Sequence, residues 1–174
     1  MSIYLITGGA RSGKSTYAEN LALKLCKDSS RRCYIATAEA FDDEMRDRIR
    51  LHQERRADKF FTVEAPIELS KAVSDVCEGV MADVILIDCL TIWTGNLLYH
   101  DRLDEKEKLL YVLRKARCDV VLVTNETGMG IVPDNALSRR FRDEAGYLNQ
   151  AVASIADVVV LMVCGLPVFV KGSL

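Results

Sequence analysis

The stretch IYLITGGARSGKS, residues 3–15, decides the fold of this chain. Its first half is a short apolar run typical of a buried strand, and its second half matches the pattern G-x-x-x-x-G-K-[ST]. The fixed positions of that pattern are Gly8, Gly13, Lys14 and Ser15. Glycines let successive backbone N–H groups turn toward phosphate oxygens, and the N-terminus of a following helix adds its positive dipole. Because a helical pattern runs from Lys14 to about Lys27, we predict a phosphate-binding loop between a strand and a helix.

Side chains that suit nucleotide chemistry accompany this predicted loop. We expect the Lys14 amine to reach the terminal phosphates of a nucleotide and the Ser15 hydroxyl to bind Mg²⁺. Asp88 directly follows the apolar run VILI, so we expect it to hold the same Mg²⁺, although a strand-end aspartate can also cap the next helix. Arg11 either adds charge for a triphosphate or forms only a surface ion pair, and the local pattern leaves both roles open.

Apolar runs alternate with helical patterns along the rest of the chain. After the first strand, the predicted strands cover residues 33–37, 60–64, 83–88 and 119–124. Predicted helices begin near Asp42 and at Pro66, two more lie between residues 88 and 119, and a long amphipathic helix covers about 136–156. The closing runs VVVLMV and VFVK flank the turn CGLP, which predicts a β-hairpin. The pattern predicts an α/β fold with a mostly parallel central sheet and helices on both faces.

The composition favours a single domain, residues 1–174. Hydrophobic residues make up 49% and charged residues 28%, and the formal net charge is -2, so no basic excess indicates binding to nucleic acid or an anionic membrane. The longest apolar stretch, Val158 to Val170, is broken by Gly165 and Pro167 and falls short of the roughly 20 residues of a membrane helix. The six cysteines include no C-x-x-C pair, which favours reduced, mostly buried thiols in a cytoplasmic protein.

His52 is one of two histidines and lies in the arginine-rich run DRIRLHQERR, residues 47–56. On a helix that begins near Asp42 it shares a face with Met45 and Ile49. One interpretation is a partly packed histidine at the rim of an apolar stripe. In the other, the surrounding arginines hold a triphosphate while a neutral imidazole attacks phosphorus and forms a covalent intermediate. The residues alone leave both interpretations open.

A polar trio follows the last predicted parallel strand before the long helix. Thr124, Asn125 and Glu126 end that strand at the edge of the sheet where Asp88 ends another. Ligands of open α/β sheets bind outside the carboxyl ends of the strands. The trio is therefore either part of the site or only shapes the glycine-rich loop that follows. The N-K-x-D pattern that reads guanine in GTPases is absent from the chain, so no local motif specifies the base.

Five segments in a fixed order span nearly the whole chain. They are ITGGARSGKS (6–15), YIATAEAFDDEMRDRIRLHQERR (34–56), VILIDCLTIWTGNLL (84–98), VVLVTNETGMGIVPDN (120–135) and RRFRDEAGYLNQAVASIADVVVLMVCGLP (139–167). Together they resemble the bifunctional adenosylcobinamide kinase/adenosylcobinamide-phosphate guanylyltransferase family of cobalamin biosynthesis. The phosphate loop is shared by many families, whereas the loop TNETGMGIVP and the segment DDEM…RI…H are far more specific.

The resemblance implies a RecA-like P-loop NTPase fold, usually a homotrimer, and two reactions. First, ATP or GTP phosphorylates the terminal hydroxyl of the aminopropanol arm of adenosylcobinamide. Second, GTP donates GMP to adenosylcobinamide phosphate, which gives adenosylcobinamide-GDP and pyrophosphate. In the family the second reaction passes through a guanylylated histidine, and the matching position is His52, with Leu51 where some relatives carry another histidine. His100 matches nothing catalytic, and we expect it at the surface.

The motif and the resemblance together define the expected site. Lys14 and His52 are the expected catalytic residues, and Ser15 and Asp88 are the expected Mg²⁺ ligands. The expected nucleotide contacts are Gly8, Gly9, Ala10, Arg11, Ser12, Gly13, Lys14, Ser15, Thr16, Ala36, Thr37, Ala38, Gln53, Glu54, Arg55, Arg56, Glu64 and Asp88. A trimer would suit a site that collects residues from two subunits, with Met129 to Pro133 at the interface.

Two other functions compete with this one. The first is a generic P-loop kinase for a small alcohol, in which His52 is only structural and no covalent intermediate forms. The second is a RecA-like binding module that acts on DNA or a partner protein. The net charge of -2 and the lack of a basic stripe disfavour DNA binding.

Overall fold

A seven-stranded sheet forms the centre of the protein. The computed structural model describes residues 1–39, 58–79 and 82–174. The strands are β1 (Ile3–Gly8), β2 (Arg32–Ala36), β3 (Phe61–Glu64), β4 (Val84–Asp88), β5 (Asp119–Val123), β6 (Val158–Val163) and β7 (Leu166–Lys171). Their order is β3-β2-β4-β5-β1-β6-β7; β1 to β6 pair in parallel, and β7 pairs antiparallel with β6. The predicted parallel sheet and its C-terminal hairpin are therefore confirmed.

Helices connect these strands. They are α1 (Lys14–Leu25), α2 (Leu69–Glu78), α3 (Leu90–Tyr99), α4 (Glu105–Lys115) and α5 (Ala136–Ile155), together with a 3₁₀ turn at Ser29–Arg31. Local chemistry fixes the start of the long helix α5. The Asn135 side chain accepts a hydrogen bond from the Ser138 N–H at 2.8 Å and so caps the helix. The glycine-rich loop before Asn135 therefore ends at a defined position.

Apolar side chains on both faces of the sheet form two cores. On one face, Tyr4 and Ile6 of β1 pack with Ala18 and Leu21 of α1. On the other face, the strands pack against α2, α3, α4 and α5, and Trp93 of α3 is fully buried there. Because both faces are covered, each inner strand needs apolar residues at successive positions, which explains its continuous apolar run.

The parallel register brings the ends of several strands to one edge. Val123 of β5 pairs with Ile6 of β1 on one side and with Asp88 of β4 on the other. Ala36 of β2 also pairs with Asp88. The phosphate loop after β1, the carboxylate of β4 and the end of β2 therefore lie along the same edge, where ligands of such sheets bind.

One predicted helix boundary is wrong for a physical reason. The helix expected from Pro66 begins at Leu69. The carbonyls of Pro66 and Ile67 accept hydrogen bonds from the side chains of Asn96 and Trp93, at 3.0 and 2.9 Å. The Leu69 N–H also donates to the Ile67 carbonyl at 2.9 Å. Because these carbonyls accept hydrogen bonds from the side chains of α3 and from the Leu69 N–H of a tight turn, the regular hydrogen bonds of the helix begin only at Leu69.

The helix predicted from Asp42 lies outside the described residues. Within those residues, none of the helices combines the length and the apolar character needed to cross a bilayer.

Candidate active site

The phosphate loop joins β1 to α1 and carries the motif residues. Gly13 has a φ of 92° and precedes the first residue of α1, Lys14, which is only 9% exposed. The Lys14 amine donates a hydrogen bond to the Gly9 carbonyl at 3.0 Å across the loop. The Ser12 hydroxyl is buried and has no hydrogen-bond partner among the described residues. An unsatisfied buried hydroxyl costs about 1–3 kcal/mol, and a bound phosphate oxygen would remove that cost.

The turn of the C-terminal hairpin packs directly on this loop. The Gly165 N–H donates to the Ser12 carbonyl at 3.1 Å. A Cβ atom added to Gly13 would lie 3.3 Å from the Gly165 Cα, and the φ of 92° is itself strained for a residue with a side chain. Glycine is therefore required at position 13 both by its own conformation and by its contact with the hairpin.

The end of β4 brings a carboxylate toward the loop. Asp88 is the last residue of β4 and is half-buried, and the buried Cys89 follows it. Burial raises the pKa of Cys89 to about 11; the Asp88 charge raises it as well, whereas the Lys14 charge lowers it. Asp88 and Cys89 therefore lie at the ligand-binding edge of the sheet, where β1 passes into the phosphate loop.

Oxygen groups that suit Mg²⁺ are present here. Mg²⁺ takes oxygen ligands, usually one or two protein groups together with phosphate oxygens and waters. In the described part of the chain, the Ser15 hydroxyl has no hydrogen-bond partner, and Asp88 supplies a carboxylate at the end of β4, which is separated from β1 by the single strand β5. The same residues hold no cluster of three His, Cys, Asp or Glu side chains. The two oxygens therefore fit Mg²⁺ that arrives with a nucleotide rather than an ion held by protein alone.

A buried polar network joins three strand ends beside the loop. The Thr37 hydroxyl donates to the Cys89 carbonyl at 2.9 Å and accepts from the Cys89 N–H at 2.8 Å. Asn96 of α3, only 3% exposed, donates to the carbonyls of Thr37 and Pro66 at 2.8 and 3.0 Å. The segments after β2, β3 and β4 are thereby fixed relative to one another. The hydroxyl and the carbonyl of Thr37 are therefore both engaged inside the protein, and neither is left for the expected nucleotide contact.

Asn96 was not singled out from the sequence, although a signal was present. In LTIWTGNLL, Asn96 lies three residues after Trp93, so both side chains project from the same side of a helix. A polar amide on an otherwise apolar helix face indicates a buried group with specific hydrogen-bond partners. What the sequence does not show is which distant carbonyls those partners are.

The polar trio at residues 124–126 lies at the end of β5, beside the phosphate loop, as its strand position predicted. The Thr124 hydroxyl, 1% exposed, donates to the Asn149 Oδ1 of α5 at 2.7 Å. The Glu126 N–H donates to the Gly8 carbonyl at 3.0 Å. The trio is thus anchored to a helix on one side and to the first glycine of the phosphate loop on the other.

The other expected residues are distributed as follows. The remaining loop and strand contacts lie at Gly8 to Thr16, between β1 and the first turn of α1, and at Ala36 to Ala38, at the end of β2. His52 to Arg56 lie outside the described residues. Glu64 ends the edge strand β3, with three strands between it and β1.

Arg11 is exposed and forms no ion pair within the described part of the chain. His100 is exposed, with its Nε2 3.2 Å from the Glu39 Oε2, in agreement with the expected surface location.

The fold has a counterpart among solved structures. A KaiC-like protein from the hyperthermophilic archaeon Pyrococcus horikoshii superposes with a TM-score of 0.54 at 17% sequence identity. The similarity covers 92% of this chain and 70% of that chain. At this identity it shows the fold alone, and it confirms the expected RecA-like P-loop NTPase fold.

Similarity in sequence is much closer and extends over nearly the whole chain. The bifunctional adenosylcobalamin biosynthesis protein CobP of Pseudomonas aeruginosa is 46% identical over 172 residues, which cover 97% of this chain and 96% of that protein. The bifunctional adenosylcobalamin biosynthesis protein CobU of Escherichia coli K12 is 40% identical, covering 96% of this chain and 98% of that protein. Residues 4–170 match the family described as "Cobinamide kinase / cobinamide phosphate guanyltransferase". The chain therefore belongs to the cobinamide kinase/cobinamide phosphate guanyltransferase family, as its sequence motifs predicted.

Proposed function

We propose that this protein phosphorylates adenosylcobinamide with ATP or GTP and then transfers GMP from GTP to adenosylcobinamide phosphate. The products of the second reaction are adenosylcobinamide-GDP and pyrophosphate. The observation that carries the proposal is the similarity, over nearly the full length, to bifunctional relatives of the family. The sheet register supports it as well, because Asp88 ends β4 at the edge where β1 leads into the phosphate loop and Lys14.

In the kinase reaction, the phosphate loop holds the nucleotide. Backbone N–H groups between Gly8 and Thr16 bind phosphate oxygens, and the N-terminus of α1 adds its dipole. The Lys14 amine, which now donates to the Gly9 carbonyl, stabilises charge on the transferred phosphoryl group. The Ser15 hydroxyl and the Asp88 carboxylate would hold Mg²⁺, which supplies positive charge at the phosphates. The hydroxyl of adenosylcobinamide attacks the γ-phosphorus, and the nucleoside diphosphate leaves.

In the transferase reaction, His52 is the proposed nucleophile. Its imidazole attacks the α-phosphorus of GTP, the bond to pyrophosphate breaks, and a guanylylated histidine forms. The phosphate of adenosylcobinamide phosphate then displaces the histidine and takes GMP. Lys14 stabilises the leaving pyrophosphate. The proposed further contacts to GTP are Ala36, Thr37, Ala38, Gln53, Glu54, Arg55, Arg56 and Glu64.

The proposed working form is a cytoplasmic homotrimer, with residues 1–174 acting as a single catalytic domain and with neither nucleic acid nor membrane as a partner. The net charge of -2 supports the absence of a polyanionic partner. Apolar side chains are exposed to solvent on the loop after β5, where Met129 is 79% and Ile131 96% exposed. Exposed apolar surface of this kind is typical of a face that another protein covers, and we propose a second copy of this chain as its occupant.

The proposal is tested by labelling the protein itself. Wild type, His52→Ala and His100→Ala are incubated with Mg²⁺ and GTP labelled at the α-phosphorus, then denatured. Protein-bound label that is labile in acid and stable in base is expected on wild type and on His100→Ala, because a phosphoramidate has those properties. His52→Ala is expected to carry none. Wild type that hydrolyses nucleoside triphosphate but takes up no label would instead support the generic P-loop kinase without a covalent intermediate.

A further inference from the structure

The kinase reaction needs a group that accepts the proton of the attacking hydroxyl, and none of the residues assigned above does this. Among the described residues, four acidic residues end strands, or follow them within three residues, at the ligand-binding edge of the sheet: Glu39, Glu64, Asp88 and Glu126. We infer that Glu126 is the general base of the phosphorylation step, an inference that rests on the proposed function. Protein kinases place an aspartate in the corresponding role, where it accepts the proton of the substrate hydroxyl.

The position of Glu126 in the fold is the first argument. Strand β5 lies between β1, which leads into the phosphate loop, and β4, which ends in Asp88. Glu126 follows β5 by three residues, and its N–H donates to the Gly8 carbonyl at 3.0 Å. It therefore lies beside the loop that holds the phosphates and on the side of the loop where Asp88 ends its strand. A hydroxyl that attacks the terminal phosphate must approach this region.

The second argument is the rigidity of the backbone that carries Glu126. The hydroxyls of Thr124 and Thr91 are 3.2 Å apart, and the Thr91 hydroxyl accepts the Asn125 N–H at 2.6 Å. Asn149 accepts from the Thr124 hydroxyl at 2.7 Å and donates to the Asn125 carbonyl at 3.2 Å. The two residues before Glu126 are thus held by α3 on one side and α5 on the other. A base that is fixed before the substrate arrives avoids the cost of being ordered during reaction.

The third argument is the state of the carboxylate. Its Oε1 accepts the Gly128 N–H at 2.6 Å, which orients the group. Among the described residues, its Oε2 has no hydrogen-bond partner and the carboxylate forms no ion pair. Glu126 is only partly buried, so that oxygen can be approached. One oxygen therefore shapes the loop while the other can accept a proton.

The other three acids suit this role less well. Glu39 follows β2, with β4 and β5 between that strand and β1, and its Oε2 lies 3.2 Å from the His100 Nε2. Asp88 is the proposed ligand of Mg²⁺, and a carboxylate bound to a cation is a weak proton acceptor. Glu64 ends β3, and the strands β2, β4 and β5 lie between it and β1. At the usual spacing of strands, this separates Glu64 from the phosphate loop by roughly 19 Å. Glu126 is therefore the acid that both adjoins the loop and keeps an oxygen available.

The reaction step balances without any further reactant. The hydroxyl oxygen of adenosylcobinamide attacks the γ-phosphorus and forms the new O–P bond. The bond between the γ-phosphorus and the β,γ-bridging oxygen breaks, and the nucleoside diphosphate leaves. The hydroxyl proton passes to the Oε2 of Glu126, which returns it to water after the product departs.

The substitution Glu126→Gln separates the two roles of this side chain. Glutamine keeps an amide oxygen for the Gly128 N–H, so the loop contact is retained, but it cannot accept the substrate proton. With adenosylcobinamide and ATP or GTP, we expect the kcat for phosphorylation to fall about 10²- to 10⁴-fold while the KM for the nucleotide changes little. The low-pH limb of the wild-type kcat profile should also disappear. The matched control is Asp134→Asn, which makes the same charge change at an exposed position of the same loop and should keep the wild-type rate.

The transferase reaction provides the second readout, because it needs no base at the substrate hydroxyl. Glu126→Gln should still form the enzyme–GMP adduct and pass GMP to added adenosylcobinamide phosphate. An active wild type with an equally active Glu126→Gln would overturn the base assignment and leave the proposed function intact. Loss of both reactions in Glu126→Gln would instead assign Glu126 to the architecture of the loop. A wild type that forms the adduct but phosphorylates nothing would reject the kinase half of the proposed function.

Discussion

At the scale of single residues, two thiols outside the phosphate site lie in direct contact. Cys77 of α2 and Cys118, just before β5, have Sγ atoms 3.1 Å apart. The hydrogen bond with Cys118 lowers the pKa of Cys77 to about 7, against the opposing effect of burial. The same contact raises the pKa of Cys118, and burial raises it further. Cys77 is thus the thiolate of the pair near neutral pH, and Cys118 is the thiol that donates to it.

This asymmetry predicts a selective alkylation. With iodoacetamide, we expect the rate at Cys77, which is partly exposed, to reach half its maximum near pH 7, because its pKa is about 7. Cys33 is fully buried with a pKa raised to about 12 by burial, so it should stay unmodified. The measurement is peptide mapping by mass spectrometry across pH, with the exposed Cys164 as an accessible reference. In Cys118→Ala the half-point should rise toward the ordinary value of about 8.5. An unchanged pH profile in that variant would contradict the hydrogen-bond explanation.

Residue roles could be predicted from the sequence where they depend on local spacing. The motif placed Lys14 and Ser15 where the phosphate loop passes into a helix, and in the structure they are the first two residues of α1. The contact between Asn96 and Thr37 joins positions 59 residues apart. A hydrogen bond between such distant positions depends on how strands and helices pack, so no short sequence pattern predicts it.

At the scale of secondary structure, the buried carboxylate of Glu105 links two helices. Glu105 begins α4, is 3% exposed, and accepts a hydrogen bond from the Ser70 hydroxyl of α2 at 2.9 Å. Arg102 and Lys108 donate to its other oxygen at 2.8 and 2.9 Å. Burial alone would raise the pKa of Glu105, but the hydrogen bonds from Lys108, Ser70 and Arg102 hold it below its usual range. The ionised form is therefore the one that stabilises the contact between α2 and α4.

Removal of this carboxylate should destabilise the protein. In Glu105→Ala the buried Ser70 hydroxyl loses its partner, and we expect the free energy of unfolding to fall by about 1–3 kcal/mol. Urea unfolding at neutral pH measures this as a lower midpoint at unchanged slope. The control is Glu107→Ala, an exposed position on the same helix, which should change the midpoint little.

The variant Glu105→Ala also tests the direction in which the stabilisation by Glu105 changes with pH. Because the folded pKa of Glu105 is depressed, the stabilisation from its charge is present above the unfolded value of about 4.3 and is lost as pH falls through the folded pKa. The difference between wild type and Glu105→Ala should therefore shrink below about pH 4. A difference that stayed constant down to that pH would show that the ionised form makes no special contribution.

Secondary structure could largely be predicted because burial of the sheet imposes continuous apolar runs on the inner strands. Strands β4 and β5 were expected at residues 83–88 and 119–124 and lie at Val84–Asp88 and Asp119–Val123. The start of α2 could not be predicted, since side chains of α3 engage the carbonyls of Pro66 and Ile67. A helix boundary that is set by a tertiary contact cannot be predicted from the helix propensities of the residues around it.

At the scale of the whole molecule, the C-terminal hairpin connects the phosphate loop to an open surface. Strand β7 is the edge strand opposite β3, and every residue of it is exposed, including Leu166 at 68% and Val170 at 65%. An exposed apolar edge strand offers unpaired backbone groups and apolar side chains to another chain. The hairpin turn also donates from Gly165 to the Ser12 carbonyl. A second copy that covered β7 would therefore rest on the element that supports the phosphate loop.

The proposed trimer is tested by placing charge on these open surfaces. Sedimentation equilibrium at working concentration should give wild type a mass of three chains, each of 19.4 kDa. Ile131→Glu, at a position that is 96% exposed, and Val170→Glu on β7 should each shift the protein toward a monomer, since a buried unpaired carboxylate opposes association. Tyr111→Glu, on the exposed side of α4, is the matched control and should remain a trimer. A monomeric wild type would reject the trimer itself. A trimer that tolerates both charges would place its interface on a different surface.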